Sequence, residues 1–418
     1  MARSSVAALK KVTPENLAGL GAERLAEILV EVADTRTDLK RRLRMELAAG
    51  LGATHLAPEI DKRLGALETS RGQVTWRQKP AFLRDLDALR GLIAERLARQ
   101  EPDAARERMW RFLATAAQTS PRLRDPDDAF EAIYARAAGD LGRLLAPHDP
   151  QLAADAVVEV AQASPQAWAR WTPKVMAALP VQTAKAALAL ALARARTAPG
   201  WTVVIRHLAD AAGDVEAYRD TYSAPALQTP AVAVELAQRW LALGRVEEAG
   251  AALRLAAPKP QGQAARLAPP DFDWETAWLD YLEATGEAAA AQAVRWASYQ
   301  RTLDIGRAKA FVGRLDGFED VEAEGQALAH AATHQDFQKG LELLMAWPAL
   351  PEASRMILER GQDAKIDPEQ AEIWAAKLRK RFPAAAHRLL RRGAATAFKQ
   401  RALKLSQRLS EEADTIGL

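Results

Sequence analysis

The chain has 418 residues, a formal net charge of +3, and 49% hydrophobic residues. It contains no cysteine, which excludes disulfide frameworks, thiolate nucleophiles and thiolate metal sites. No apolar run approaches the roughly 20 residues needed to cross a bilayer, and the first residues lack an apolar core of signal-peptide length. We therefore expect a soluble, cytoplasmic protein.

The composition favours helices. Alanine, leucine and arginine dominate, and runs with β-forming character are nearly absent. The one candidate, Trp-Thr-Val-Val-Ile at 201–205, continues into a helical pattern. This composition predicts an all-α protein.

Charge divides the chain into segments. Residues 1–100 contain 18 lysines and arginines against 13 acidic residues, and residues 373–410 contain 11 basic residues and no acidic one. Residues 101–372 carry a net charge of −10. The predicted segments are a disordered N-terminus (1–13), a basic N-terminal helical layer (14–113), an acidic helical-repeat array (114–372), basic C-terminal helices (373–410) and an acidic tail (411–418).

Two helix starts share one signal, a capping residue followed by proline. Thr13 precedes Pro14, and Asp367 precedes Pro368. The side-chain oxygen of such a cap accepts a hydrogen bond from the first turn, and proline suits the first helical position. By the same preference, Pro58 is expected to open a further helix.

Two helical hairpins are predicted in the middle of the chain. In each, an apolar helix ends near a glycine, Gly244 or Gly286, and a helix rich in small residues follows. Glycine tolerates the left-handed conformation in which many helices end. A third, weaker hairpin is expected over 327–344, with Gly340 at its small position, whereas Arg295 interrupts the apolar pattern of the second. The spacing resembles the tetratricopeptide pattern, so we predict stacked helical hairpins in a tetratricopeptide-like α-solenoid.

Short motifs near both ends of the chain carry a further resemblance. They lie at 16–17, 25–29, 39–48, 69–71, 76–77, 83–90, 109–112, 382–385 and 389–391. These motifs resemble an uncharacterised family of bacterial proteins, most strongly over 16–113 and 382–391. The resemblance implies tetratricopeptide-like helices and no known activity. In that family Cys-Asp-Asp-Ser follows the Trp-Arg-Phe helix, whereas residues 124–128 here read Arg-Asp-Pro-Asp-Asp, so a site located there in relatives is not carried over.

Two groups of side chains have some of the features of a metal site. His330 and His334 have the four-residue spacing of two ligands on a helix, but no third histidine lies near, and zinc takes three or four ligands. The acidic group at 125–131 lacks the glycine and the final glutamate of a calcium-binding loop, and a helix cap explains it more simply. We predict no metal and no cofactor. Since no phosphate-binding loop or catalytic motif appears, we also predict no enzymatic activity.

The sharpest functional signal is the basic stretch 373–410. Cations this close repel one another unless an anion lies nearby. That anion is the chain's own acidic middle, an external acidic protein or nucleic acid; a membrane surface is not expected, because the apolar face of 398–409 is short. The candidate contact residues are Lys40, Arg41, Arg42, Arg44, Arg388, Arg391, Arg392, Lys399, Arg401, Lys404 and Arg408.

The sequence thus predicts a non-enzymatic helical-repeat scaffold that mediates protein–protein interaction, with acidic proteins among its candidate partners. The alternative is a nucleic-acid-associated protein that contacts phosphates through its basic N- and C-terminal helices. Phosphate contacts release counterions, so a steep loss of binding with salt is expected for the alternative alone. The oligomeric state stays open.

Overall fold

The computed structural model describes residues 12–124, 128–194, 198–257, 271–362 and 364–416. Within these ranges the secondary structure is helical, with one isolated bridge between Val74 and Leu123 and no β-strand. The prediction of an all-α fold of stacked helical hairpins is confirmed. Of the predicted disordered N-terminus, residues 1–11 lie outside the described ranges, as do residues 417–418 of the acidic tail.

The chain forms two compact units, Met1–Ser223 and Ala224–Leu418. The segment boundaries predicted from charge, at 113/114 and 372/373, fall inside these units. They describe the distribution of charge along the chain and stay predictions as domain limits.

The first unit is built from α-helices, one π-helix that extends α5, and a 3-10 turn. They are α1 (Pro14–Ala18), α2 (Ala22–Thr35), α3 (Thr37–Leu51), α4 (Ala53–Thr69), α5 (Lys79–Gly91), the π-helix (Leu92–Leu97), α6 (Pro102–Ala114), α7 (Ala116–Thr119), the 3-10 turn (Ser120–Arg122), α8 (Asp128–Leu145), α9 (Pro150–Ala163), α10 (Pro165–Trp168), α11 (Thr172–Met176), α12 (Val181–Leu192), α13 (Trp201–Ala212) and α14 (Val215–Arg219). Tyr134 lies in the core of this unit, stacked on Phe112 at 5.0 Å, with its hydroxyl 2.8 Å from that of Thr115.

The second unit consists of helices that pack largely on their neighbours in the chain. They are a 3-10 turn (Ala226–Gln228), α15 (Pro230–Ala242), α16 (Val246–Leu255), α17 (Phe272–Ala284), α18 (Ala288–Thr302), α19 (Ile305–Val312), α20 (Glu319–Thr333), α21 (Phe337–Ala346), α22 (Leu350–Arg360), α23 (Pro368–Leu378), α24 (Pro383–Lys399) and α25 (Leu403–Asp414). Each helix from α15 to α21 contacts the next one, α22 packs on α24, and α24 packs between α23 and α25. This order of packing is the one expected of stacked hairpins.

Two of the three proline-led helix starts form as predicted. Thr13 Oγ1 accepts a hydrogen bond from the Asn16 backbone N–H at 3.3 Å, and the Asp367 carboxylate accepts two from the first turn of α23. The prediction for Pro58 was wrong: α4 begins at Ala53, and Pro58 lies inside it. The buried face of α4, which includes the fully buried Leu56, offsets the one backbone hydrogen bond that proline removes.

The first two predicted hairpins turn at the glycines that the sequence indicated. Gly244 has a φ of 71° between α15 and α16, and Gly286 a φ of 78° between α17 and α18. The third hairpin is α20–α21. Arg295, which interrupts the apolar pattern, is buried in α18 and donates hydrogen bonds to Glu283 and Gln292. The buried cation is therefore compatible with the hairpin because its polar group has acceptors.

Gly340 is the position where the third hairpin closes most tightly. A Cβ atom there would lie 2.3 Å from the Ala331 carbonyl oxygen and 3.1 Å from the Met356 methyl carbon. Only a residue without a side chain allows α21 this close to the backbone of α20.

We expect Gly340→Ala to destabilise the protein by about 1 to 3 kcal/mol, because the added methyl group forces packed backbones apart. Gly325→Ala is the matched control: it lies in α20, and a methyl group added there would have no heavy atom within 4 Å. It should stabilise the helix by up to about 1 kcal/mol. Urea unfolding midpoints measure both, and equal midpoints for the two variants would contradict the close approach.

Candidate functional site

Helix α3 positions the N-terminal cations that the sequence singled out. Its buried side carries Met45 and Ala48, so Arg41, one turn before Met45, lies at the edge of the core. Lys40 and Arg44 flank Arg41 at the mouth of a cleft, whereas Arg42 is exposed and lines neither of the two clefts that open beside Arg41. Of the four predicted contact residues on α3, three therefore line a cleft and Arg42 does not.

A buried carboxylate, Asp85 on α5, lies beneath these cations. Its side chain is 7% exposed and accepts two hydrogen bonds from Arg63 on α4, from Nε at 2.8 Å and from Nη2 at 2.5 Å. Arg41 donates a third at 3.3 Å from α3. One carboxylate therefore faces two guanidinium groups, and the pair of arginines is only partly neutralised.

The excess of positive charge around Asp85 also affects the pKa of Arg63. Burial lowers its pKa, Asp85 opposes that effect, and the positive charges of Arg41 and Arg122 lower the pKa further. An anion bound among these arginines would relieve their mutual repulsion.

Two clefts open beside Arg41 and share it, together with Thr37. The first basic cleft has a volume of about 300 Å³ and is lined by the charged residues Lys40, Arg41, Arg44, Glu59, Lys62 and Arg63. The second basic cleft has a volume of about 480 Å³ and is lined by Arg36, Asp38, Arg41, Arg77, Asp85 and Arg122. Eight cations and three carboxylates thus line the two clefts, which is the charge balance of a site for anions.

The loop 70–78 and the turn before α8 hold the second basic cleft together. Val74 N–H donates to the Arg122 carbonyl oxygen at 2.9 Å, and Arg122 Nε donates to the Gly72 carbonyl oxygen at 2.9 Å. The guanidinium of Arg122 also lies over the Phe82 ring, 5.4 Å from its centroid. Arg122 is therefore placed by backbone and ring contacts, without a carboxylate partner among the described residues.

Two buried nitrogen atoms in the second basic cleft lack acceptors among the described residues, Arg41 Nε and Arg122 Nη1. A buried N–H group without an acceptor costs about 1 to 3 kcal/mol. The arginines of the cleft thus keep donors that the protein itself does not satisfy, beside the positive charge that favours an oxyanion.

The predicted C-terminal contact residues are arranged differently. Arg391 pairs with Asp414, and Arg408 pairs with Glu372 at 2.6 Å. Arg388 and Arg392 donate to the backbone carbonyl oxygens of Leu358 and Ala364. The residues are Arg388, Arg391, Arg392 and Arg408, and all four bind groups of their own unit. Much of the charge of this stretch is therefore used to pack α22 to α25 together.

The remaining three, Lys399, Arg401 and Lys404, are exposed around the turn between α24 and α25. Arg401 has a φ of 62°, so the chain turns there and ends α24. The apolar stripe expected to run through 398–409 is broken by this turn, and Phe398 is 65% exposed. These three cations belong to the second unit, whereas the N-terminal set belongs to the first.

The two histidines do not lie on one helix as their spacing predicted. His330 lies in α20, but His334 follows the end of that helix, and its Nδ1 accepts a hydrogen bond from the Asp336 backbone N–H at 3.1 Å. Over the described ranges no group of three or more histidine, aspartate or glutamate side chains is placed to hold a metal ion. Of the acidic group, Asp125 and Asp127 lie outside the described residues, and Glu131 pairs with Arg170 at 3.0 Å.

Comparison with known proteins places the chain in a family. The profile of the family of unknown function DUF6880 matches residues 7–199 and, in a second match, residues 162–402. The chain belongs to DUF6880. This agrees with the resemblance to an uncharacterised family drawn from the motifs at both ends. No curated protein matches the sequence.

Within the described ranges of this DUF6880 chain, no helix combines the length and the hydropathy of a membrane span.

Of the eight cations of the clefts in this DUF6880 protein, three are among the candidate contact residues. The other five are Arg36, Lys62, Arg63, Arg77 and Arg122, which lie on four other elements or at their ends. Arg77 and Asp85 belong to the family-like motifs at 76–77 and 83–90, as Arg41 does to the motif at 39–48. The other five cations are spread over positions 36 to 122 of the sequence, and only the fold brings them together.

We expect Asp85→Asn to destabilise this DUF6880 chain by about 3 to 5 kcal/mol, because it leaves the buried guanidinium of Arg63 without a countercharge. Asp34→Asn removes a carboxylate from an exposed pair with Lys40 and should cost at most about 1 kcal/mol. Urea unfolding of both variants gives the comparison. A small effect of Asp85→Asn would show that the pair is more solvated than the structure indicates.

Proposed function

We propose that this chain is a non-enzymatic helical-repeat protein that binds an acidic segment of a partner protein in the two basic clefts of its first unit. The observation that carries the proposal is the convergence of eight cations with three carboxylates around Arg41 and Thr37. In this view the hairpins of the second unit belong to the tetratricopeptide-like class, whose role is to display binding surfaces.

The size of the clefts supports a polypeptide ligand. Volumes of about 300 and 480 Å³ lie in the range of sites that enclose side chains or small ligands. Arg41 separates the two clefts, so an extended segment with acidic side chains spaced along it can reach both. Glutamate and aspartate side chains match the planar donor fork of arginine.

The nucleic-acid alternative has less support. It required the basic N- and C-terminal helices to contact phosphates, but four of the C-terminal candidates bind groups of their own unit. The cations of the first unit converge on concave clefts, whereas proteins that track a nucleic-acid backbone present their charge along a groove or an open face.

The test is binding of a short fluorescein-labelled peptide rich in glutamate, followed by anisotropy, with duplex DNA in parallel. We expect Arg44→Glu combined with Lys62→Glu to weaken peptide binding about tenfold, because two exposed charges of the first basic cleft are reversed. Arg42→Glu, on the same helix but outside both clefts, is the matched control and should bind as the parent does.

A second control reverses Lys399 and Lys404 in the other unit. Peptide binding that survives the cleft variant but is lost in this control would overturn the proposal. Binding of duplex DNA alone, falling by about a thousandfold or more between about 50 and 200 mM salt, would replace it with the nucleic-acid alternative.

A further inference from the structure

The second basic cleft contains more unused positive charge than an acidic side chain needs. Four arginines line it, and the two carboxylates among them are already engaged: Asp38 binds Arg36 through two hydrogen bonds, and Asp85 binds Arg63 and Arg41. Hydrogen bonds from Arg36 hold the pKa of Asp38 below its ordinary value, so that carboxylate stays ionised and paired. The cleft is left with a net charge of about +2 from its lining residues.

The remaining donors come from separate elements that the fold holds in place. Arg41 extends from α3, Arg77 from the loop before α5, and Arg122 from the 3-10 turn, where the Gly72 carbonyl oxygen fixes its Nε. Arg77 has no carboxylate partner among the described residues, and its guanidinium lies 5.2 Å from the ring centroid of the exposed Trp76. Buried nitrogen atoms of Arg41 and Arg122 have no acceptor there either.

We infer that the second basic cleft binds a phosphoryl group carried by the acidic partner segment. A phosphoryl group on a side chain carries a charge of about −1.5 to −2 and three strong acceptor oxygens. It therefore matches both the excess charge and the three arginines that come from three separate elements, whereas a carboxylate offers one charge and two oxygens. Arginine clusters recognise phosphorylated motifs by this combination of charge and bidentate hydrogen bonds.

The inference rests on the proposed function, because it assigns one cleft of that binding surface. The first basic cleft differs in kind: it is lined by two exposed lysines and by Arg44, which suit the carboxylates that flank the phosphoryl group. The two clefts thus divide the recognition of a segment that is both acidic and phosphorylated.

The experiment compares three labelled peptides with one glutamate-rich sequence that differ at a central position: serine, glutamate or phosphoserine. We expect the phosphoserine peptide to bind the full-length chain at least about tenfold more tightly than the serine peptide, with glutamate near serine. Inorganic phosphate should displace the phosphoserine peptide from the cleft more effectively than chloride does at equal ionic strength.

Two variants locate the effect. Arg77→Gln changes an exposed residue, and Arg122→Gln changes a half-buried one; each should lower the affinity for the phosphoserine peptide more than that for the serine peptide, which removes the preference for phosphoserine. Arg42→Gln should keep the preference, and Arg44→Gln should weaken all three peptides alike. The urea unfolding midpoint of each variant shows whether it is folded. If Arg122→Gln is unstable, the result for Arg77→Gln decides the outcome.

The outcomes separate the two proposals. Equal binding of all three peptides, weakened by Arg44→Gln, would overturn the phosphoryl site and leave the acidic-segment function standing. A preference for phosphoserine that persists in Arg77→Gln and Arg122→Gln would also overturn it. If no peptide binds but inorganic phosphate raises the melting temperature of the parent and not of Arg77→Gln, the phosphoryl site stands for a free phosphorylated ligand and the acidic-segment function fails.

Discussion

The carboxylate of Asp85 is the interaction on which the basic clefts depend. It comes from α5 and binds Arg63 of α4 and Arg41 of α3, so three helices meet at one buried charge. Breaking such a pair is costly because the remaining charge stays buried. The same carboxylate neutralises only one of its two arginines, and Arg122 adds a third cation within electrostatic range. The group that stabilises the packing of the three helices therefore also leaves positive charge at the bottom of a cleft.

The basic C-terminal stretch shows why a run of charge in a sequence is an incomplete guide to a binding site. Its lack of acidic residues suggested an external anion, yet Arg408 of α25 pairs with Glu372 of α23, two helices earlier, and Arg391 pairs with Asp414 in the tail. Both carboxylates lie just outside the acid-free stretch. Arg388 binds the carbonyl oxygen of Leu358 in the last turn of α22, where cations are favoured by the helix dipole and by unpaired carbonyl groups, and Arg392 binds that of Ala364 in the loop after this helix. Charge that is dense in sequence can thus be dispersed in space, and charge that is dispersed in sequence, as in the clefts, can converge.

Local signals in the sequence were enough for the fold class, the proline-led starts at Pro14 and Pro368, and the turns at Gly244 and Gly286, because each depends on residues within one or two helical turns. They failed at Pro58, where burial of the α4 face outweighs the loss of one hydrogen bond. They also missed most of the clefts. Arg63, Arg77 and Arg122 line the same clefts as Arg41 but lie 22 to 81 positions from it in the sequence, and no periodicity within a single element encodes such an arrangement.

Folding itself assembles the cations of the clefts before any ligand arrives. Arg63 is held by Asp85, Arg122 by the backbone of Gly72, and Arg36 by Asp38, so these three side chains have less freedom to lose on binding. The repulsion among these arginines is already offset by the packing of the helices. A ligand that brings concentrated negative charge gains from relieving that repulsion, whereas a ligand that brings only apolar area does not. Preorganised charge of this kind selects for the density of charge on a partner more than for the size of the interface.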